Sequence, residues 1–549
     1  MTVQDHSDGR DATSRPTIYA NAQVFTGRRS EPWVEACAVR GRDVLDVGDL
    51  ADVRARWGDA EEVDLGGATV LPGLIDAHNH FLSTGESLAS LDLRYPGVDS
   101  AAALLRVIRD AAQQTPRGET ISGFGFDNAK YDLPSLHELD ATAGDHRVQL
   151  FHTSGHNVLV NSVVLADAEI DEHVEDPPGG RFVRDATGRL TGLCLDAACG
   201  AVVPTDVDIG SHGPNFHTRA PIDTLVAAVD RASRAFLAAG LTCVADAQVT
   251  SRELHAYRTA RDRGVLGVRT VCMPLSHQLE AYREIGLAGP FGDDHLSVGH
   301  LKVYADGSLT GGTAAFSEGL GVRGQEASLF HDPEALVPLI EAAWVDGWRV
   351  GVHAQGDLAI SLVLDGFERG SARRSLGDPR PRIEHCGFPT SAGIGRMRSL
   401  GVTAVNQPSY LFDFGDEYAA SLGEHIHDLQ PWRDELDAGL RVVISSDSDV
   451  SSYRPLTTIA NAMLRRTREG SVLGPRHRLT LEEALLAHTA DAAYAVGLEH
   501  RIGSLGPTKA ADLVILASDL RSTDPAEIAE IPIIATIVDG TARFPIPKE

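Results

Sequence analysis

At 549 residues the chain is too long for one ordinary hydrophobic core, so a large catalytic unit with insertions or a second small domain is expected. Its 43% hydrophobic and 23% charged content excludes a disordered chain, and a formal charge of −28 excludes nucleic acid and anionic membrane surfaces as favoured partners. Six scattered cysteines (Cys37, Cys194, Cys199, Cys243, Cys272, Cys386) contain no CxxC pair, which excludes a dense disulfide framework and fits a reducing cytoplasm.

Residues 1–15 are polar and acidic, without the basic start and apolar run of a signal peptide, and are expected to form a disordered tail. No run of about 18 apolar residues follows anywhere, so no membrane span is expected. Short β segments at Thr17–Val24, Ala36–Arg40, Val44–Val47 and Ala68–Leu71, separated by Gly and charged turns, predict a small β unit. Asp512–Leu516 and Ile533–Val538 have the same texture, so residues 16–70 and 503–549 are expected to pair into one β-sandwich flanking a central unit over residues 71–502.

Within that central unit, apolar strand-like runs alternate with helical stretches, the pattern of a parallel α/β fold. Ten strand candidates occur: Val70–Ala77, Ile121–Phe126, Val148–His152, Leu241–Ala247, Val268–Pro274, Leu296–Ala305, Arg349–Ala354, Arg382–Cys386, Val402–Asn406 and Arg441–Ser446. Assigning residues 82–240, with their Gly/Pro/Asp-rich stretch at 171–192, to a long insertion leaves eight strands in order. The expected fold is therefore a (β/α)8 TIM barrel with a terminal β-sandwich and an insertion after the first barrel strand. Helices are expected at Ser251–Arg263, Pro333–Asp346 and Pro455–Arg468, and Thr480 with Glu483 forms a capping-box pattern opening a last helix, Leu481–Val496.

The chemistry begins at Asp76-Ala77-His78-Asn79-His80. Residues i and i+2 of a strand point the same way, so His78 and His80 present two imidazoles on one side, at the strand end where barrels of this kind place their active sites. A bare HxH is as often two hydrogen-bonded turn histidines. His353, His385 and Asp447, however, also stand at the ends of their strands, and chance placement of all five is improbable. Imidazole and carboxylate together suit zinc and related divalent ions. Only four of the 49 basic residues are lysines, yet Lys302 lies inside the apolar strand Leu301-Lys302-Val303-Tyr304. A lysine amine loses its charge when desolvated, and unlike guanidinium it can then react with CO2 to give an anionic carbamate.

These motifs resemble the amidohydrolase superfamily, specifically its YtcJ-like branch (amidohydrolase family 3), and N-substituted formamide deformylases are similar in length and layout. The match runs over most of the chain: Val70 to His78, Ser154-Gly155-His156 with Asn161-Ser162, Lys302 to Ala314, His353 to Asp357, Ile383 to Cys386, the Asp447 strand and Gly503 to Val514. The resemblance implies a site of one or two zinc ions formed by His78, His80, Lys302, His353, His385 and Asp447, with Lys302 carboxylated in the two-metal form. It also assigns His156 and Asp306 to substrate binding. The glycine-rich segment 307–313 lacks the GxGxxG order and terminal Lys of a phosphate cradle and reads as a substrate-facing loop.

The expected reaction is hydrolysis of a small-molecule amide C–N bond by metal-activated hydroxide, with Asp447 moving the proton. Two alternatives stay open: deamination of a heterocyclic amine, and an inactive barrel used as a binding module, against which the filled ligand positions argue. Neither nucleic acid nor membrane is an expected partner, and a homodimer is left as an open assembly.

Overall fold

The computed structural model describes residues 15–545 apart from 156, 178–179, 197 and 318–327. The tail expected over residues 1–15 therefore lies, but for Arg15, outside the described residues, as does His156. No described helix is long and apolar enough to cross a membrane.

The fold is mixed α/β. Its centre is built from strands β1 (Leu74–Asn79), β2 (Leu241–Val249), β3 (Arg269–Pro274), β4 (Leu301–Tyr304), β5 (Val350–Ala354), β6 (Arg382–His385), β7 (Thr403–Asn406) and β8 (Arg441–Ile444). Strands β1, β2 and β3 run parallel in one five-stranded sheet, and β4 through β8 run parallel in another. Most of these residues are buried on both faces, which is why the strands read as continuous apolar runs without alternation. A parallel bridge joins Leu275, just past β3, to Lys302 in β4. Beyond β8, the Asp447 N–H donates to the His78 carbonyl of β1 at 2.9 Å.

Both chain ends share one six-stranded sheet, ordered Thr541–Phe544, Ile533–Val538, Leu513–Leu516, Thr69–Pro72, Gln23–Phe25, Trp33–Val34. A four-stranded sheet (Asp43–Gly48, Ala36–Arg40, Thr17–Ala20, Glu61–Asp64) packs on it through a common core including Val24, Val39, Val70 and Leu513. The fully buried Arg269 guanidinium ties β3 to this unit through Asp512 (2.8 Å) and Asp539 (2.6 Å).

Three expected elements are divided. The run Val70–Ala77 changes sheets at Gly73, where a Cβ would lie 2.1 Å from the Thr242 hydroxyl, so only glycine lets β1 turn in against β2. The run Leu296–Ala305 breaks at Gly299-His300: Leu296–Val298 pairs with β3, and the chain then steps over so that β4 pairs with β5. The last helix keeps its Thr480–Glu483 capping box but stops at Ala487 and resumes at Ala490. There the His488 carbonyl accepts the Ile75 N–H (2.9 Å) and its imidazole meets the Ile75 carbonyl (3.0 Å), so helical bonding yields to pairing with β1. The helix expected to reach Arg468 ends at Leu464, because Arg465 adopts a left-handed φ of 46° and donates to the carbonyls of Leu429, Gln430 and Leu473.

Residues 82–240 hold more strands than expected. Their six-stranded sheet runs Gly180–Arg184, Leu190–Asp196, Asn157–Val160, Arg147–His152, Thr120–Phe126, Leu91–Asp92. The Gly/Pro/Asp-rich stretch holds the edge strand Gly180–Arg184 and the turn of its hairpin with Leu190–Asp196, closed by the Asp185 carboxylate accepting from the Thr187 and Arg189 N–H groups.

Candidate metal centre

The ends of β1, β5 and β6 bring four imidazoles into one row. Ring centroids are 5.8 Å apart for His80–His78, 4.9 Å for His78–His385 and 4.3 Å for His385–His353. Asp447 closes the group, with Oδ1 3.0 Å from His80 Nε2 and 3.3 Å from His78 Nε2. Among the described residues, His78, His80 and Asp447 are the three whose donor atoms already stand close enough together to share one ion.

Hydrogen bonds fix which nitrogen each ring offers. His78 Nδ1 donates to Glu384 (2.6 Å) and His385 Nδ1 to the Gln407 side-chain oxygen (2.7 Å), leaving both Nε2 atoms as lone pairs. His353 is reversed: its Nε2 faces the Gly307 carbonyl at 2.9 Å and must carry the proton, so Nδ1 is free. Asp447 Oδ1 and His80 Nδ1 are buried without a hydrogen-bond partner. Lone pairs facing one another with no donor between them are costly to bury, and a cation among them removes the cost. The residues present fit a divalent metal.

Electrostatics agree. Burial pushes the Asp447 carboxyl upward, but positive charge on His78 and His80 outweighs burial and holds it well below the usual carboxylate range, and Asp447 in turn raises the His80 imidazole against its own burial. The pocket calls for a cation, and a metal ion would take the place of those protons. Burial drives the other way at His385, down to about 3, and takes His353 well below the ordinary imidazole value, so both are neutral and able to ligate. Glu384 is grasped by Arg382 through two bonds of 2.8 Å, and burial is again outweighed, by Arg382 and His78. Both His385 (φ 69°) and Asp447 (φ 53°) occupy the left-handed region, a strain of about 1–3 kcal/mol each that surrounding bonds must hold. Exchanging Glu384 for Gln keeps its size but removes the charge that anchors His78, and should weaken metal affinity about 10- to 100-fold in chelator competition. Unchanged affinity would show that His78 needs no such partner.

Lys302 stands beside this group but outside the cavity wall. It is fully buried, its Nζ has no hydrogen-bond partner, and it lies 4.3 Å from the centre of the Tyr304 ring. Burial brings its pKa down to about 8 against the pull of Glu384 and Asp447. Asp306 does not reach the cavity expected for a substrate-binding group. It is fully buried, and its carboxylate accepts the backbone N–H groups of Ala315, Gln355 and Gly356 at 2.9–3.0 Å. Burial nevertheless raises it to about 7. It thus clamps the chain after β4 to the chain after β5; at Gly356 a Cβ would lie 1.8 Å from the Ala315 carbonyl oxygen.

A cavity of about 630 Å³ opens on the imidazoles, lined by Tyr304, stacked on His353 (5.0 Å), by Phe216, edge-on to His80 (5.0 Å), and by Ser308, Thr310, Tyr410, Phe124 and Phe151. Of the segment 307–313, Ser308 and Thr310 line this cavity. Glu384, Gln407 and Tyr410 were not singled out in the sequence. Glu384 carried a signal, since Arg382 and Glu384 at i and i+2 put opposite charges on one side of a buried strand.

The amidohydrolase family model matches residues 61–544. The chain belongs to the amidohydrolase family. It is a metal-dependent hydrolase of carbon–nitrogen bonds, of the YtcJ-like branch that its motifs resemble. Three relatives span nearly the whole chain. Protein LONG AFTER FAR-RED 3 of Arabidopsis thaliana is 31% identical, covering 96% of this chain and 91% of that protein. The N-substituted formamide deformylase of Arthrobacter pascens is 29% identical (96% and 98%), and the putative amidohydrolase YtcJ of Bacillus subtilis 26% (95% and 98%). In fold, the chain is similar to an uncharacterized metal-dependent hydrolase of Pyrococcus horikoshii, with a TM-score of 0.75 at 24% identity over 93% of this chain and 99% of that one.

Proposed function

We propose that this amidohydrolase hydrolyses the C–N bond of a small-molecule amide, with N-substituted formamides as the first class to test, at a zinc centre held by His78, His80, His353, His385 and Asp447. The observation that carries the reading is the set of unprotonated ring nitrogens and the bare Asp447 Oδ1 turned toward one another at the cavity floor. The deformylase of Arthrobacter pascens, similar over nearly the whole chain, supports the substrate class.

We read β1–β8 as one closed (β/α)8 barrel. The Leu275–Lys302 bridge and the bond from the Asp447 N–H to the His78 carbonyl support closure at the two seams, and the candidate ligands stand at strand ends as such a barrel requires.

When bound, a divalent ion supplies Lewis acidity, lowering the pKa of water toward neutrality and polarising a carbonyl. Asp447 then accepts the proton of the attacking water and returns it to the amide nitrogen, which leaves as an amine. The cavity is of the size that small-molecule ligands occupy and holds the amide with its carbonyl toward the imidazoles. For a two-metal form, the Lys302 amine adds to CO2 with loss of one proton, giving a carbamate; its burial and lowered pKa favour the neutral amine that this needs. The setting is read as cytoplasmic, in line with the free thiols of Cys37, Cys194, Cys243, Cys272 and Cys386.

Metal analysis of the purified chain with a screen of N-formyl, N-acyl and cyclic amides tests the reading. Expected are bound metal and an amine with its carboxylate or formate as products, with two equivalents per chain if Lys302 is carboxylated and one if it is not. Ammonia released from a heterocyclic amine, with no amide turned over, would make the chain a deaminase.

A further inference from the structure

Strand β7 supplies none of the candidate ligands, yet the turn that follows it touches two of them. Gln407 takes the Nδ1–H of His385, and Tyr410, in the first turn of helix Pro408–Leu422, donates its hydroxyl proton to Asp447 Oδ2. Tyr410 is 5% exposed, its ring nearly parallel to His385 (6.2 Å, 11°) and edge-on to Phe414 (5.6 Å). The two oxygens of Asp447 are therefore divided. Oδ1 faces His78 and His80 with no donor of its own, while Oδ2 is held by Tyr410.

We propose that Tyr410 is a positioning residue that breaks the two-fold freedom of the Asp447 carboxylate, keeping Oδ1 alone on the metal and water side and so setting turnover rather than substrate affinity. The proposal rests on the reading of Asp447 as proton carrier. A carboxylate turns about a broad, roughly two-fold torsion, and its backbone fixes only where the group begins. Free to turn, Asp447 could bring both oxygens onto a cation, or neither, and in each case lose the lone pair aimed at the attacking water. Proton transfer needs heavy atoms within about 2.6–3.2 Å, and a misplacement of about 1 Å can cost about 10²-fold in rate. A hydroxyl that merely sought a buried partner could have taken a backbone carbonyl, as Tyr131 does at Leu93.

The test compares Tyr410→Phe with Tyr131→Phe, each losing one buried tyrosine hydroxyl bond, as zinc-loaded full-length protein acting on an N-substituted formamide that the wild-type chain turns over. For Tyr410→Phe, kcat should fall about 10- to 100-fold with KM within about twofold and metal content unchanged, and crystals of the metal-free and zinc-bound variant should show Asp447 turned from its wild-type orientation. Tyr131→Phe should keep kcat. A Tyr410→Phe enzyme within about twofold of wild-type kcat, or one that loses metal, raises KM in step or keeps Asp447 in place, overturns the proposal, as does an equal kcat loss in Tyr131→Phe. If Asp447→Asn is near-native, the reading of Asp447 itself fails; if Asp447→Asn is inactive and Tyr410→Phe is not, only the positioning role falls.

Discussion

Asp447→Asn is expected to lower kcat by more than the roughly 10²- to 10⁴-fold typical of general acid–base catalysis alone. The amide cannot take a proton at the working pH, so water activation and amine departure lose the same group. Asparagine also turns its own NH2 toward one of two places built for an acceptor. Facing Tyr410, it sets donor against donor where Oδ2 now accepts the hydroxyl proton. Flipped, it puts N–H bonds beside His78 and His80 Nε2, where Oδ1 now stands at 3.3 and 3.0 Å. Either orientation weakens ligation, yet His78, His80, His353 and His385 remain, so much of the metal should be retained. Metal content and kcat measured on the same preparation check both halves, and near-native turnover would sink the role assigned to Asp447.

How much of this site was legible in the sequence follows from where each residue gets its meaning. His78 and His80 declare themselves because strand geometry alone puts i and i+2 on one side. His353, His385 and Asp447 could be added because each ends an apolar run and the expected fold brings strand ends together. Glu384, Gln407 and Tyr410 act across strands, on His78, His385 and Asp447, and nothing local in the chain says that β7 lies between β6 and β8 with its turn reaching both. Asp306 shows the same limit: an acidic residue at a strand end looks like a cavity group, and only the fold brings up the three backbone N–H groups that surround it.

The fold shows the same division. Helix Pro333–Asp346 was bounded correctly because proline at its first turn and Gly347 after its last are local signals. The breaks at Gly73, Gly299-His300 and His488-Thr489 were not visible, because hydrophobic pattern reports burial and not partner. A run stays apolar while it leaves one sheet for another, as it does on passing from Thr69–Pro72 into β1. The hairpin at 180–196 was missed for the opposite reason, since its polar turn and charged edge gave the stretch the composition of a loop.

His78→Ala is expected to abolish measurable turnover and strip most of the metal while leaving the fold standing. His78 occupies the middle of the imidazole chain, between His80 and His385, and its Nε2 lies against Asp447. Truncation removes a ligand and leaves His80 parted from the β6 ligand His385. Two features limit the structural damage. Glu384 loses its bond to His78 but keeps both bonds to Arg382, so no carboxylate is left buried and unpaired. The Asp447 N–H bonds the His78 carbonyl, which any residue at position 78 retains. The melting temperature of the metal-free variant should therefore stay near that of metal-free wild type, whereas the stabilisation that added zinc gives the wild-type chain should be lost. Imidazole in the medium, entering the space the ring vacates, should restore part of the metal binding. A variant with full metal content and normal turnover would remove His78 from the site, and one that fails to fold even with zinc and imidazole would make its main role structural.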